Sequence, residues 1–406
     1  MLPADFDIGL STFGGKSMQI ITVQEQLEKL RLDGWLLYDF QGLNPIARKL
    51  AGLHGNLLTR RWFYWIPRKG IPSVLCHRIE QHGFQSLEGS MHVFKSWDEM
   101  IQMLGRILKG AGTIAMEYSP SCSIPYVSRV DAGTLEMVRS FGVQVVSSAN
   151  LIQYFEASWS RAQFQMHLEA SRHLMQILDE TFEAIRARLR TTSGLSEYEL
   201  QQIMARKYEA RSLFSFSPPI VAVNQNSANP HYEPNRESSS PIRRGDFLLI
   251  DFWAKLQRPE SVYADYTWVA YLGEIVPDRY RRIWEVVKSA RDATVAFVKS
   301  RYPREPIQGW QVDAIAREYI GKEGYGEFFI HRTGHNIGEE DHGNGANMDS
   351  LETKDERLLI PHTCFSIEPG IYLPEFGVRS ELNVYLNDDK VVITGDPVQE
   401  EIVRIF

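Results

Sequence analysis

Over the first 150 residues, short apolar runs alternate with amphipathic stretches. "DGWLLYDF" (33–40), "IPSVLCHRI" (71–79), "TIAMEY" (113–118) and "VQVVSSA" (143–149) have the length and residue types of strands, whereas "WDEMIQMLGRILKG" (97–110) repeats its apolar residues at helical spacing. This rhythm predicts an α/β layered domain around a central sheet. Residues 161–190 read as one long amphipathic helix. The domain boundary therefore falls near 155–160, dividing the chain into 1–157 and 158–406. Ser196, three residues before Glu199, forms a capping box that opens another helix. The second half is strand-rich: "PPIVAVN" (218–224), "DFLLIDFWAKL" (246–256), "VYADYTWVAYLG" (262–273), "HTCFSIEPGIYL" (362–373) and "ELNVYLND" (381–388), interrupted by helices near 278–300 and 308–321.

Composition narrows the class. With 406 residues, 43% of them hydrophobic, the chain can bury two cores. A formal charge of -7, from 44 Lys+Arg against 51 Asp+Glu, and the lack of a basic block argue against nucleic acid or an anionic membrane as partner. Cys76, Cys122 and Cys364 are far apart and offer neither a disulfide framework nor a thiolate zinc site, which fits a cytoplasmic protein. The start, "MLPADFDIGLSTFGG", has no basic segment followed by an apolar run, and no apolar stretch is long enough to span a bilayer. Neither export nor a membrane is expected.

The chemistry concentrates in "HRTGHNIGEEDH" (331–342), which gathers His331, His335 and His342 from a chain with only 11 histidines. Acidic residues interrupt apolar strands elsewhere. Asp251 ends the run Leu248, Leu249, Ile250; Asp265 lies in "VYADYT" with Thr267 on the same side; Glu368 precedes a Pro-Gly pair; and Glu381 stands two residues from Arg379, which is placed to hold it. Carboxylates in such positions require a hydrogen-bond partner, a cation or a metal. Four carboxylates with one imidazole and no thiolate suit Mn, Co, Fe or Zn at a hydrolytic centre. Two such ions roughly 3.5–4 Å apart acidify a shared water and polarise a carbonyl.

These motifs resemble the metallopeptidase family with the pita-bread fold, which includes methionine aminopeptidase, aminopeptidase P, prolidase and the metal-free creatinase. The resemblance rests on "LLIDFW", "YADYT", "TGHNIG", "SIEPGIY" and "VRSELNV". It implies an α/β amino-terminal domain like that of creatinase and an α+β catalytic domain with a curved antiparallel sheet. By the same resemblance Asp251, Asp265, His335, Glu368 and Glu381 ligate two divalent ions, with manganese the leading candidate, and Glu368 is the general base. His231 in "NSANPHY" stabilises the tetrahedral intermediate, His342 contacts the scissile amide and His331 shapes the pocket. Two-domain members cleave before proline and often form homodimers, for which "RRWFYW" (60–65) offers either a contact or core packing.

Departures bear on the substrate. The two aspartates stand fourteen apart where the family usually has eleven, and Trp253, Arg332 and Trp268 replace two glycines and an arginine. Trp253 and Trp268 are expected to narrow the pocket. Tyr232, Phe365, Tyr372 and Phe376 are candidates for a wall against the proline ring, and Arg332, Arg357 and Arg379 for a free carboxylate beyond it. The expectation leans to Xaa-Pro aminopeptidase, with Xaa-Pro dipeptidase next. Hydrolysis or lyase chemistry on a small non-peptide molecule, and a non-catalytic binding module, are the further alternatives.

Overall fold

The computed structural model describes residues 18–53, 55–191 and 194–406. The amino-terminal stretch on which the reading of no export signal rests lies outside them. Two compact units make up the chain, Met1–Phe155 and Glu156–Phe406. No helix among the described residues is long and apolar enough to cross a membrane.

In the first unit β1 (Gly34–Asp39), β2 (Trp62–Pro67), β3 (Ser73–His77), β4 (Ser90–Phe94), β5 (Thr113–Met116) and β6 (Gln144–Ser147) form one mixed sheet in the order β4-β3-β2-β1-β5-β6. Strand β1 is buried along its length because alternate side chains enter two different layers. Trp35 and Leu37 pack with residues of the helices Ile20–Lys29 and Pro45–Leu50, whereas Leu36 and Tyr38 pack with those of Trp97–Ile107 and Ala132–Arg139. Of the two readings of "RRWFYW", the structure bears out core packing, on a strand the sequence reading did not mark: Trp62, Phe63, Tyr64 and Trp65 lie in β2, none more than 7% exposed. The same sheet buries Glu117, whose carboxylate accepts from Trp35 Nε1 (2.7 Å), Asn44 Nδ2 (2.9 Å) and Ser148 Oγ (3.1 Å). Burial outweighs these bonds and pushes the carboxyl up to about 7.

The second unit carries β7 (Leu213–Phe214), β8 (Ile220–Val223), β9 (Phe247–Leu256), β10 (Ala264–Tyr271), β11 (Asn336–Ile337), β12 (Cys364–Ile367), β13 (Gly370–Leu373), β14 (Phe376–Arg379), β15 (Leu382–Leu386), β16 (Val391–Thr394) and β17 (Val403–Arg404). Strand β9 pairs antiparallel with β10, β8 and β7, and β17 joins β10 in parallel. A second sheet, β11-β12-β15-β16, is antiparallel throughout, and β13 and β14 form a hairpin. The expected single strand over 362–373 is two strands, β12 and β13, broken at Glu368-Pro369. Proline has no N–H for a ladder and a fixed φ, so pairing stops there.

Alternation along β9 and β10 sets the location of the site. Leu248, Ile250, Phe252, Ala254, Ala264, Tyr266 and Ala270 face a core shared with the helices Arg161–Leu189 and Glu197–Ala210. The latter two helices begin at the capping boxes of Ser160 and Ser196. On the opposite face lie Leu249, Asp251, Trp253, Asp265, Thr267 and Val269. Trp268 packs with the helix-side core, so it does not narrow the acidic face; a one-residue offset from Thr267 turns its side chain to the other side of the sheet.

Candidate metal centre

The hairpin register places Asp251 opposite Thr267 and Asp265 opposite Trp253. One face of two adjacent strands thus presents both aspartates, and the longer connection between them leaves this pairing intact. Asn383 on β15 holds the second strand in place: its Oδ1 accepts from Asp265 N (3.0 Å) and its Nδ2 donates to Asp265 O (2.7 Å). Glu381 lies just before β15, with its amide donating to Thr267 O (3.2 Å). The Thr267 hydroxyl is 2.8 Å from Asp251 Oδ1 and 2.9 Å from Glu381 Oε2. A hydroxyl has one proton, so it donates to only one of these carboxylates at a time.

Arg379 does not hold Glu381 in the way its spacing suggested. Its Nη2 donates to Asp251 Oδ2, its Nε to Thr267 Oγ1 (2.9 Å) and its Nη1 to Tyr372 Oη (3.0 Å). The reason is local: Arg379 closes β14 and Glu381 lies beyond it in the bend before β15, so the two are not alternate residues of one strand.

His335 joins this set from the loop before β11. Its Nδ1 lies 3.1 Å from Asp341 O and 3.3 Å from Asn336 O, and both can only accept, so Nδ1 carries the proton. The unprotonated Nε2 faces Asp265 Oδ2 and Glu368 Oε1, each at 3.5 Å. The loop is fixed from below by Asp313, which accepts from Thr333 N (2.9 Å), Thr333 Oγ1 (2.6 Å) and Ser350 N (3.0 Å). It is fixed from the side by Ser366 Oγ, which accepts from His335 N (3.0 Å).

The donor set fits a cation. Asp265 Oδ1, Glu381 Oε1 and Asp341 Oδ1 are buried and have no hydrogen-bond partner, a costly arrangement for oxygens surrounded by other acids. One ligand atom each from Asp265, His335 and Glu381 lies within 4.8 Å of the others. Burial, with Glu381 next in weight, holds the Asp265 carboxyl well above its usual range. Burial and Glu368 do the same to Glu381. Burial also pushes Glu368 up to about 7 against the pull of Arg379. A divalent ion reverses that balance by satisfying the unpaired oxygens and restoring the ionised forms. Asp251, Asp265, His335, Glu368 and Glu381 are therefore brought together at one place.

The other histidines take distinct positions. His331 Nε2 lies 2.7 Å from Tyr372 Oη, and His331 Nδ1 is 2.7 Å from Arg332 O. Directionality follows: Arg379 donates to Tyr372, Tyr372 to His331 Nε2, and His331 Nδ1 to the carbonyl. Burial, with the Arg379 charge next, depresses His331 to about 3 and keeps it neutral. His342 lies against His335, ring centroids 4.0 Å apart and planes tilted by 44°, with its side chain 59% exposed and Nδ1 3.3 Å from Arg332 Nη2. His231 is exposed, and its amide donates to Asn229 Oδ1.

Among the wall candidates, Phe365 and Phe376 are core residues at 1% and 4% exposure, and Tyr232 Oη donates to Glu197 Oε2 (2.7 Å). Tyr372 and Trp253 adjoin the acids, the latter 5.9 Å from the Phe216 ring. Arg357 is committed to Asp355 and Asn344 O, and Arg332 places a guanidinium beside His342. Asp341, Asn383, Asp313 and Ser366 escaped the sequence reading. Only Asp341 carried a signal, as the acid next to His342.

A buried acid–imidazole set with three unpartnered carboxylate oxygens defines a candidate cation site. The profile of Metallopeptidase family M24 matches residues 169–388, and the chain belongs to that family. Among curated relatives, the Xaa-Pro dipeptidase of Lactobacillus helveticus is 33% identical over 206 residues, which is 49% of this chain and 49% of the relative. The matched stretch thus spans about half the length of this relative. Dipeptidase PepE from Mycobacterium ulcerans superposes with a TM-score of 0.68 at 22% identity, covering 95% of this chain and 96% of that one. The X-Pro aminopeptidase of Thermotoga maritima superposes with a TM-score of 0.56 at 22% identity, covering 93% and 99%. These superpositions establish the two-domain pita-bread fold.

Proposed function

We propose that the chain is a metal-dependent Xaa-Pro peptidase that hydrolyses the bond between an amino-terminal residue and proline, with dipeptides as the favoured substrate class. The observation that carries the reading is the cluster of buried, unpaired carboxylate oxygens around His335 Nε2, inside the stretch matched to the peptidase family. Asp251, Asp265, His335, Glu368 and Glu381 would hold two divalent ions, which when bound supply Lewis acidity and a water acidic enough to attack near neutral pH. Manganese suits the oxygen-rich set.

This chain's own residues do the rest. Glu368 takes the proton of the attacking water and returns it to the leaving proline nitrogen. Arg379 and Thr267 orient Asp251, so the acids meet the ions in a fixed geometry. His342, with Nδ1 facing Arg332, presents Nε2–H to the oxygen that becomes anionic in the tetrahedral state, and His231 approaches from the upstream loop. Tyr372 and His331 wall the pocket. Two points favour dipeptides over the aminopeptidase expectation: the dipeptidase named among the 33%-identical relatives, and Arg332 at the site, where a guanidinium suits a free carboxylate. Longer Xaa-Pro peptides remain the second reading.

The test is to strip the protein with chelator, restore Mn, Co, Zn or Fe separately, and compare Xaa-Pro dipeptides with Xaa-Pro-Xaa tripeptides. Glu368→Gln should lower turnover at least about 100-fold. Release of the first residue from tripeptides alone would return the assignment to the aminopeptidase. Metal uptake without cleavage of either peptide would leave a small non-peptide substrate or a binding role.

A further inference from the structure

Asp341 stands in "GEEDHG" among residues that read as a solvated acidic loop, yet it is only 5% exposed whereas Glu340 beside it is exposed. The fold accounts for this. Asn336 pins the loop to its own strand: its backbone O accepts from Gly343 N (2.8 Å), its Oδ1 from Gly345 N (2.9 Å), and its Nδ2 donates to Cys364 O (2.9 Å). The chain is thereby turned back over His335, and Asp341 O becomes an acceptor for His335 Nδ1.

The side chain follows the backbone into the centre. Asp341 Oδ1 is buried without a partner, and Oδ2 lies 3.9 Å from Nε2 of His342, an imidazole that desolvation keeps neutral, beyond hydrogen-bond reach. The charges it faces are those of Asp251 and Glu368, followed by Glu340 and Arg332. Ligand atoms of His335, Asp341 and His342 lie within 4.8 Å of one another, and His335 belongs as well to the Asp265–Glu381 group. A structural aspartate would cap an amide or pair with a basic side chain, as Asp349 in its loop and Asp313 on its helix do nearby. Asp341 does neither.

We infer that Asp341 is a sixth protein ligand of the metal centre, placed on the ion that His335 binds. The inference rests on the two-ion reading above. A further hard oxygen donor raises the charge and coordination number offered to that ion, which favours Mn over Zn.

The experiment is metal titration of the chelator-stripped full chain without substrate, by calorimetry and by manganese electron paramagnetic resonance. It compares wild type, Asp341→Asn, Asp341→Glu and, as a control, Asp265→Asn. Asp341→Asn should bind one of two Mn ions about 10–100-fold more weakly, lose less affinity for Zn, and show an altered spectrum, with partial recovery in Asp341→Glu. Its metal-free form should melt higher than wild type, since one buried acid is gone from a repelling cluster, while the rise in melting temperature on adding Mn should shrink. Two ions bound at wild-type affinity by Asp341→Asn would overturn the inference and leave the centre intact. Fewer than two ions in wild type would overturn the two-ion reading, and this ligand with it.

Discussion

Five carboxyl groups converge on His335; Arg379 donates to Asp251 and lies 3.9 Å from Glu368 Oε2, and the other three are paired with no guanidinium among the described residues. Burial and mutual repulsion raise Asp265, Glu381 and Asp341 well above the ordinary carboxylate range and Glu368 to about 7, so near neutral pH the metal-free centre retains protons that water would have removed. Cations must displace them. Calorimetric titration with Mn in buffers of different ionisation enthalpy should therefore report net proton release, and affinity should fall as the pH is lowered from 8 to 6. Heats that do not depend on the buffer would contradict this protonation state. Asp251, Asp265, Glu368 and Glu381 were legible in the sequence because each carboxylate interrupts an apolar run, and His335 because it falls in a histidine cluster. Asp341 was not, because an acid in a Glu- and Gly-rich loop looks solvated until Asn336 is seen to fold that loop inward.

Strand register does most of the positioning, and it is sensitive to backbone spacing. A Cβ on Gly334 would lie 1.9 Å from Ser366 O and 2.8 Å from Ser366 C, atoms of the neighbouring strand β12 that cannot swing aside. Gly334→Ala must push the His335 loop away from Ser366. A loss of about 1–3 kcal/mol in urea unfolding is expected, together with weaker metal binding than wild type; unchanged affinity would mean that the loop adjusts without moving the imidazole. Periodicity marked both hairpin strands, because β9 and β10 are long and alternate between an apolar helix-side face and a polar one. It missed β2, β4, β7, β11, β14, β16 and β17, and it fused β12 with β13. Strand β2 is buried on both faces and its run of aromatics shows no alternation, while Pro369 breaks a pattern that remains apolar on either side of it.

Buried groups give the two units opposite responses to pH. Glu117 in the first has a folded value of about 7 against 4.5. Its stabilising contribution is complete below 4.5 and lost as the pH rises through 7, on the order of 3 kcal/mol in all. His167 in the second is buried between Tyr263 O and Thr394 Oγ1, each 2.7 Å away, and burial depresses it to about 4. Its contribution is complete above 6.5 and lost as the pH falls through 4, again on the order of 3 kcal/mol. Between pH 8 and 5.5, the melting temperature of wild type relative to Glu117→Gln should rise, and that relative to His167→Gln should fall. Two differences that stay constant across this range would show that neither group titrates as its surroundings dictate.

The proposed ligands also have a consequence for the life of the molecule. They come from β9, β10, the loop before β11, the break after β12 and the bend before β15, so no short segment of the unfolded chain can gather them. On the two-ion reading, cation binding belongs to the folded state alone, and every increment of affinity is an increment against local opening. A freshly synthesised copy in a metal-poor cell would hold a cluster of mutually repelling acids where a loaded copy holds a cross-link. Proteases that sample opened chains would remove the first sooner than the second. Supply of the ion would then set abundance as well as activity, and half-life would record the history of the metal pool.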